Sequence, residues 1–265
     1  MNLRVVTPTL GQSPWLKETL ATIARVAARS ECIIVAPAAQ CAPLAAGCAG
    51  VQLLPQTGTG LYPALNDGFR APGDWTVGTW INDDDRLLPA GFSAALALLE
   101  RRPDVAVVYG RVILIDRDGH GFAKIPVAHS GEDLGPLLAA GLVPLAQPGT
   151  VFRREVFERL GGFVESLQTA GDLEFFYRAL AAGFRFSFVD VRVAEFRVHG
   201  GQISQQIRTR HRETAALTLA ARAVPGWDRR ARAAQWRFRW SNLGVYADRL
   251  CRHGFVSMER LSARE

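Results

Sequence analysis

Apolar runs rich in β-branched residues alternate with helix-patterned segments from the N-terminus to beyond residue 100, and this alternation constrains the fold more than any other feature of the chain. "LRVVTPTL" (3–10) reads as a strand stopped at Pro8, and "SPWLKETLATIARVAARS" (13–30) as a helix with a Ser-Pro start and apolar residues at helical spacing. The strand-like "ECIIVAP" (31–37) and "VQLLPQ" (51–56) bracket an Ala-rich segment, and "GTGLYPALNDGFRAPGDW" (58–75) places one short helix among turn residues. "TVGTWIN" (76–82) is a further strand, and "PAGFSAALALLERR" (89–102) a helix with Pro89 suited to its first turn. Strands alternating with helices predict an α/β protein whose parallel strands are covered on both faces.

The strand at 76–82 ends in three consecutive carboxylates, Asp83, Asp84 and Asp85. Like charges this close raise one another's pKa, so the run invites a cation. In open α/β sheets, ligands bind outside the carboxyl ends of the strands. Mg²⁺ and Mn²⁺ take hard oxygen ligands, and one or two carboxylates plus substrate phosphates suffice to hold Mg²⁺. A solvated loop in which the aspartates cap the next helix is the competing reading.

Beyond residue 100, "VAVVYGRVILID" (105–116) is strand and "RDGHG" (117–121) a turn, whereas 127–147 scatters Gly and Pro through apolar patches and gives no clear element. "REVFERLGGF" (154–163) and "DLEFFYRALAAGF" (172–184) pattern as helices, and "RFSFVDVRVAEFRV" (185–198) as strand.

Three segments, in order, resemble the successive motifs of family 2 glycosyltransferases with the GT-A fold: "VVTPTLGQSPWLKETLATI", "TGTGLYPALNDGFRAPGDWTVGTWINDDD" and "GDLEFFYRALAAGFRFSFVDVRVAEFRVHGGQIS". The resemblance covers about residues 3–205. It implies a GT-A domain over 1–205, a Rossmann-like mixed sheet flanked by helices, followed by a basic helical extension over 206–265. It further implies inverting transfer of a sugar from a nucleotide-diphospho-sugar to a hydroxyl, assisted by Mn²⁺ or Mg²⁺, in cell-surface polysaccharide or glycolipid synthesis.

Carried over residue by residue, the resemblance makes Asp84 a metal ligand with Asp83 or Asp85 in support, and His199 a further metal ligand or a contact to the diphosphate. Asn82, where the family often has Asp, and Asp83 would face the donor. Asp172 matches the family's catalytic base, which must reach the acceptor hydroxyl it deprotonates; it could equally cap the helix it opens. Thr7, Pro8 and Thr9 would hold the nucleobase, because "IIVAPAAQ" (33–40) lacks the acidic pair many relatives carry after the second strand. Arg197 would neutralise the diphosphate, with Gly200 and Gly201 allowing close backbone approach. Tyr62 and Asn66 match donor-contacting positions, or else pack and cap a short helix. Asp67 stands where the family has a basic residue.

Gln206–Glu265 holds thirteen arginines, five acidic residues and no lysine, with tryptophans interleaved. "RRARAAQWRFRW" (229–240) could lie on an anionic bilayer or pack its aromatics onto the domain. Nucleic-acid binding would leave the acidic run unexplained and is not expected. A sugar-phosphate nucleotidyltransferase would open on a basic Gly-rich loop, which "TPTLGQSPW" is not; a non-catalytic sugar-nucleotide-binding relative is the other alternative. The expected donor is thus a sugar nucleotide, the acceptor a glycan or lipid-linked glycan. With no apolar run long enough to span a bilayer and no signal-peptide pattern, the expected location is cytoplasmic, or peripheral at the inner face of the membrane. Cys32, Cys41, Cys48 and Cys251 match no zinc framework and read as reduced thiols.

Overall fold

The computed structural model describes residues 1–26, 30–48, 50–200, 202 and 207–254. The first half runs β1 (Leu3–Pro8), α1 (Leu16–Ile23), β2 (Ser30–Ala36), α2 (Ala38–Ala45), β3 (Gln52–Pro55), α3 (Leu61–Arg70), β4 (Val77–Trp80), β5 (Arg86–Leu87) and α4 (Pro89–Arg101). Then follow β6 (Val107–Ile115), β7 (Gly121–Lys124), α5 (Leu134–Ala139), β8 (Val151–Arg153), α6 (Arg154–Leu160), α7 (Gly171–Ala181) and β9 (Phe186–Arg197). Three helices close the described chain, α8 (Ile207–Ala223), α9 (Trp227–Ser241) and α10 (Leu243–His253).

The strands form one mixed sheet in the order β3-β2-β1-β4-β8-β6-β9-β5, with β7 beside β6. β3, β2, β1 and β4 are parallel, so their carboxyl ends share one edge. The short β8 runs antiparallel to both β4 and β6, and β9 returns parallel to β6. Every residue of β1 is buried, which accounts for its largely apolar character: helices cover both faces. The one buried exception in charge, Arg4, caps α3 from beneath. It donates to the carbonyls of Gly68, Phe69 and Ala71 at the helix's C-terminal end and pairs with Glu31 at 2.8 Å.

On one face an aromatic core gathers Phe69, Trp75, Trp80, Phe152, Phe163 and Phe175 beneath α3, α6 and α7. Ala234 and Phe238 of α9 belong to the same core, so the C-terminal helices are packed into the domain. The junction expected at 205/206 lies outside the described residues. On the other face α4 approaches β9 so closely that a Cβ on Gly91 would sit 1.8 Å from the Arg192 carbonyl, a contact only glycine permits.

Candidate active site

The acidic run occupies the turn between β4 and β5. The two-residue β5 pairs antiparallel with the end of β9, Arg86 opposite Glu195 and Leu87 opposite Ala194. Extending that register backwards brings the run to the residues that follow β9. The Arg197 amide donates to Asp85 Oδ1 at 2.8 Å, and His199 Nε2 lies 2.9 Å from Asp84 Oδ2. Two residues 115 apart in sequence thus meet at the carboxyl edge of the parallel strands.

Three oxygens of this turn are buried without a partner among the described residues: Asn82 Oδ1, Asp84 Oδ1 and Asp85 Oδ2. Orphaned buried acceptors are costly, and a hard cation or its water is the chemistry that satisfies them. Asp84 and His199 fit such an ion. The resemblance places Asp85 with them, but among the described residues the three do not bring ligand atoms within 4.8 Å of one another. Asp85 is fully buried and anchors the Arg197 amide, and that burial pushes its carboxyl well above the ordinary range. Among the described residues the one His/Cys/Asp/Glu cluster meeting that distance is Asp116, Asp118 and His120, in the turn after β6. There Asp116 Oδ1 accepts the amides of Asp118 and His120, an Asx turn that accounts for the cluster without an ion.

Arg197 also departs from its expected part. Its guanidinium is buried and donates to the Asp84 carbonyl from Nε, to the Asp116 and Arg117 carbonyls, and to Glu18 at 2.7 Å. All three nitrogens are committed to protein acceptors, so the visible role is a strut that fixes the acidic turn, rather than a contact to diphosphate. Glu18, from the first turn of α1, also pairs with Arg86. Thr19 donates to the Asp85 carbonyl at 2.7 Å. Trp15 lies against His199 with ring centroids 4.7 Å apart, and Gln202 accepts from the His199 amide at 3.2 Å. These supporting contacts escaped the sequence reading, although Gln202 sits in the same "HGGQIS" segment. Gly201 lies outside the described residues.

Thr7 is fully buried in β1 beside Cys32, whose thiol burial pushes up to about 12. Pro8 ends the strand. Thr9 then donates its hydroxyl to Asp83 and its amide to the Val35 carbonyl, which joins the ends of β1, β2 and β4. Burial raises the Asp83 carboxyl to about 6, with Thr9 opposing.

Asp172 lies in the first turn of α7, half-buried, and burial raises its carboxyl against the opposing Leu173 amide and Arg210. Tyr62 secures this end of the helix. Its hydroxyl oxygen accepts the Gly171 amide at 2.7 Å, and Gly171 has no room for a Cβ, which would sit 2.6 Å from the Tyr62 ring. Because Tyr62 opens α3, just past the carboxyl end of β3, Asp172 stands on the same edge of the sheet as the acidic turn. Asn66 does different work. Its amide donates to the Phe163 carbonyl and to Glu165, and its oxygen accepts the Phe163 amide at 2.8 Å, which clamps the loop after α6. Asp67 accepts both the amide and hydroxyl of Thr57, so an acid here fixes the approach to α3.

The sequence reading missed Glu213 of α8. Its carboxylate receives the amides of Gln168, Thr169 and Ala170 at 2.9 Å each and the Thr169 hydroxyl at 2.7 Å. Burial works against its charge, but these donors outweigh it and hold the carboxyl below the ordinary range. A C-terminal helix therefore secures the loop that leads into Asp172. The signal was faint: a single acid within "RTRHRE".

No protein-family model matches the sequence, and no curated protein is similar to it. Solved structures are similar. The structure of S. aureus TarS 1–349 in complex with UDP-GlcNAc aligns with a TM-score of 0.60 at 15% identity, over 98% of this chain and 78% of that one. The mannosyltransferase PcManGT from Pyrobaculum calidifontis, in complex with GDP-Man and Mn²⁺, aligns with a TM-score of 0.61 at 17% identity, over 99% of this chain and 77% of that one. At such identities the likeness is one of fold: a mixed α/β sheet flanked by helices, as in these glycosyltransferases.

Proposed function

We propose that the chain is an inverting, family 2-like glycosyltransferase that moves a sugar from a nucleotide-diphospho-sugar to a hydroxyl of a glycan or lipid-linked acceptor. The observation that carries this reading is the Asp84–His199 pair, with the orphaned oxygens of Asn82 and Asp84 beside it, at the carboxyl edge of a sheet shared with nucleotide-sugar-bound structures. Asp84 and His199 would hold Mn²⁺ or Mg²⁺. That ion would supply positive charge to the leaving diphosphate.

The remaining steps fall to the chain's own side chains. Thr9 holds the Asp83 carboxylate towards the nucleoside, and Asn82 offers its amide to the donor ribose or sugar. Asp172 takes the proton of the acceptor hydroxyl as that oxygen bonds to the anomeric carbon. The carbon–oxygen bond to the diphosphate breaks with its electron pair on the leaving group, which inverts the centre. The raised pKa of Asp172 suits this work, because a stronger base shares the proton better in the transition state.

The test is nucleotide-diphosphate release from a panel including UDP-GlcNAc and GDP-mannose, with Mn²⁺, with Mg²⁺ and with chelator. One donor is expected to turn over and to stop with chelator. Asp172→Asn should lower the rate by about 10²-fold or more while donor affinity holds; Asp84→Asn should weaken cation-dependent donor binding. A chain that binds no donor in a cation-dependent way and releases nothing would overturn the proposal.

A further inference from the structure

The C-terminal helices carry two apolar faces, and among the described residues only one is packed against the fold. Ala234, Phe238, Asn242 and Val245, spaced three or four apart, are buried against the domain. Asn242 is fixed there by two hydrogen bonds to the Val127 backbone at 2.9 and 3.0 Å. Between and just beyond these positions Trp236, Trp240, Leu243 and Leu250 are 56%, 65%, 51% and 47% exposed. At about 100° per residue they form a stripe roughly 80° wide on the side opposite the packed one. Asn242, at φ −109° and ψ 13°, interrupts α9 and α10 for one residue, and the buried positions keep their spacing across it.

Charge selects the occupant. Arg229 and Arg232 continue the same side one to two turns before Trp236 and Arg239 borders it; all three are exposed and form no ion pair with the described residues, whereas Arg230 and Arg237, turned towards the domain, pair with Glu132 and Asp133. A second copy presenting the same face would set these three cations against their equals. Tryptophan with arginine around an aliphatic strip is the composition that seats at the boundary between anionic headgroups and acyl chains. Among the described residues no helix is long and apolar enough to cross a membrane, so contact would be along the surface.

We infer that the outer face of α9 and α10 docks the protein on an anionic lipid bilayer, with Trp236 and Trp240 at the interface and Arg229, Arg232 and Arg239 on headgroup phosphates. This does not depend on the transfer reaction. The test is sedimentation of the full chain with phosphatidylcholine vesicles with and without 30 mol% phosphatidylglycerol. Each arginine near such a surface contributes about fivefold in partitioning, so the triple variant R229Q/R232Q/R239Q should bind about a hundredfold less. W236S/W240S should lose binding by at least about tenfold, with the circular dichroism and Tm of the wild type. Equal binding to both vesicle types, or unchanged binding in both variants, would overturn the inference. So would a concentration-dependent dimer abolished by W236S/W240S, or a salt-sensitive oligonucleotide complex in place of vesicle binding.

Discussion

Replacing Glu213 with alanine is expected to loosen the very loop that presents Asp172, although the two residues lie on different helices. The carboxylate accepts four hydrogen bonds, three of them from consecutive backbone amides. A hydrogen bond to a charged group is worth about 1.5–3 kcal/mol net, and donors left buried without a partner cost more than the bond itself contributed. The four are not additive, because water reaches part of the loop once the side chain is gone. A loss of about 3–4 kcal/mol follows. For a chain this long each kcal/mol moves Tm by about 2–4 °C, so Glu213→Ala should melt roughly 10 °C below wild type. Glu213→Gln keeps one acceptor but turns an NH₂ towards amides, and should fall between. The pH dependence has a definite sign. A carboxyl held below its unfolded value contributes stability above that value, about 4.3, and loses it as pH falls through the lower folded one. The Tm gap between wild type and Glu213→Gln should therefore be constant from pH 6 to 8 and shrink on acidification. Differential scanning calorimetry and amide exchange over residues 168–174 measure both effects. An alanine variant melting within 2 °C of wild type, with unchanged exchange at 168–170, would refute the assignment of Glu213 as the clamp.

Tyr62→Phe removes only the oxygen that accepts the Gly171 amide, and should cost about 1–3 kcal/mol with faster exchange at that amide; an unchanged Tm would mean that the amide finds another partner. Thiol labelling separates the cysteines: Cys251, exposed on α10, should react readily with an aromatic disulfide reagent at pH 8, whereas Cys32, raised to about 12 by burial, should stay inert until the protein is denatured. Equal rates at both would contradict the burial of β2.

What could be read from the sequence is what short-range pattern encodes. The alternation of apolar runs and helical segments predicts β1, α1, β2, β3, α3, β4 and α4, because short β-branched runs bounded by turn residues are what a sheet covered on both faces demands; the Ala-rich α2 and the two-residue β5 carry no such pattern. The acidic run stood out because carboxylates directly after such a run oppose local electrostatics, and the fold turns them to the sheet edge. What could not be read depends on partners far along the chain. Arg197 looks like a free cation in sequence, but its acceptors come from Glu18, Asp84, Asp116 and Arg117, which only the closed sheet assembles. Asn66 is committed to a loop 97 residues away. The segment 127–147 was opaque for a similar reason: α5 contains Gly135 and Pro136, which read as breakers. Pro136 falls in the first turn, where its missing amide costs nothing, and Gly135 is where the Trp227 ring lands, 2.3 Å from any Cβ placed there. The same tryptophan explains why the basic segment resisted a single reading. Its aromatics fall on more than one helical face because the helices serve two surfaces, Trp227 and Phe238 facing the domain and Trp236 and Trp240 facing out. Packing and exposed apolar surface were alternatives only while the partner of each face was unknown; once α5 and the aromatic core occupy one side, the other side is the residue of sequence that the fold itself leaves unexplained.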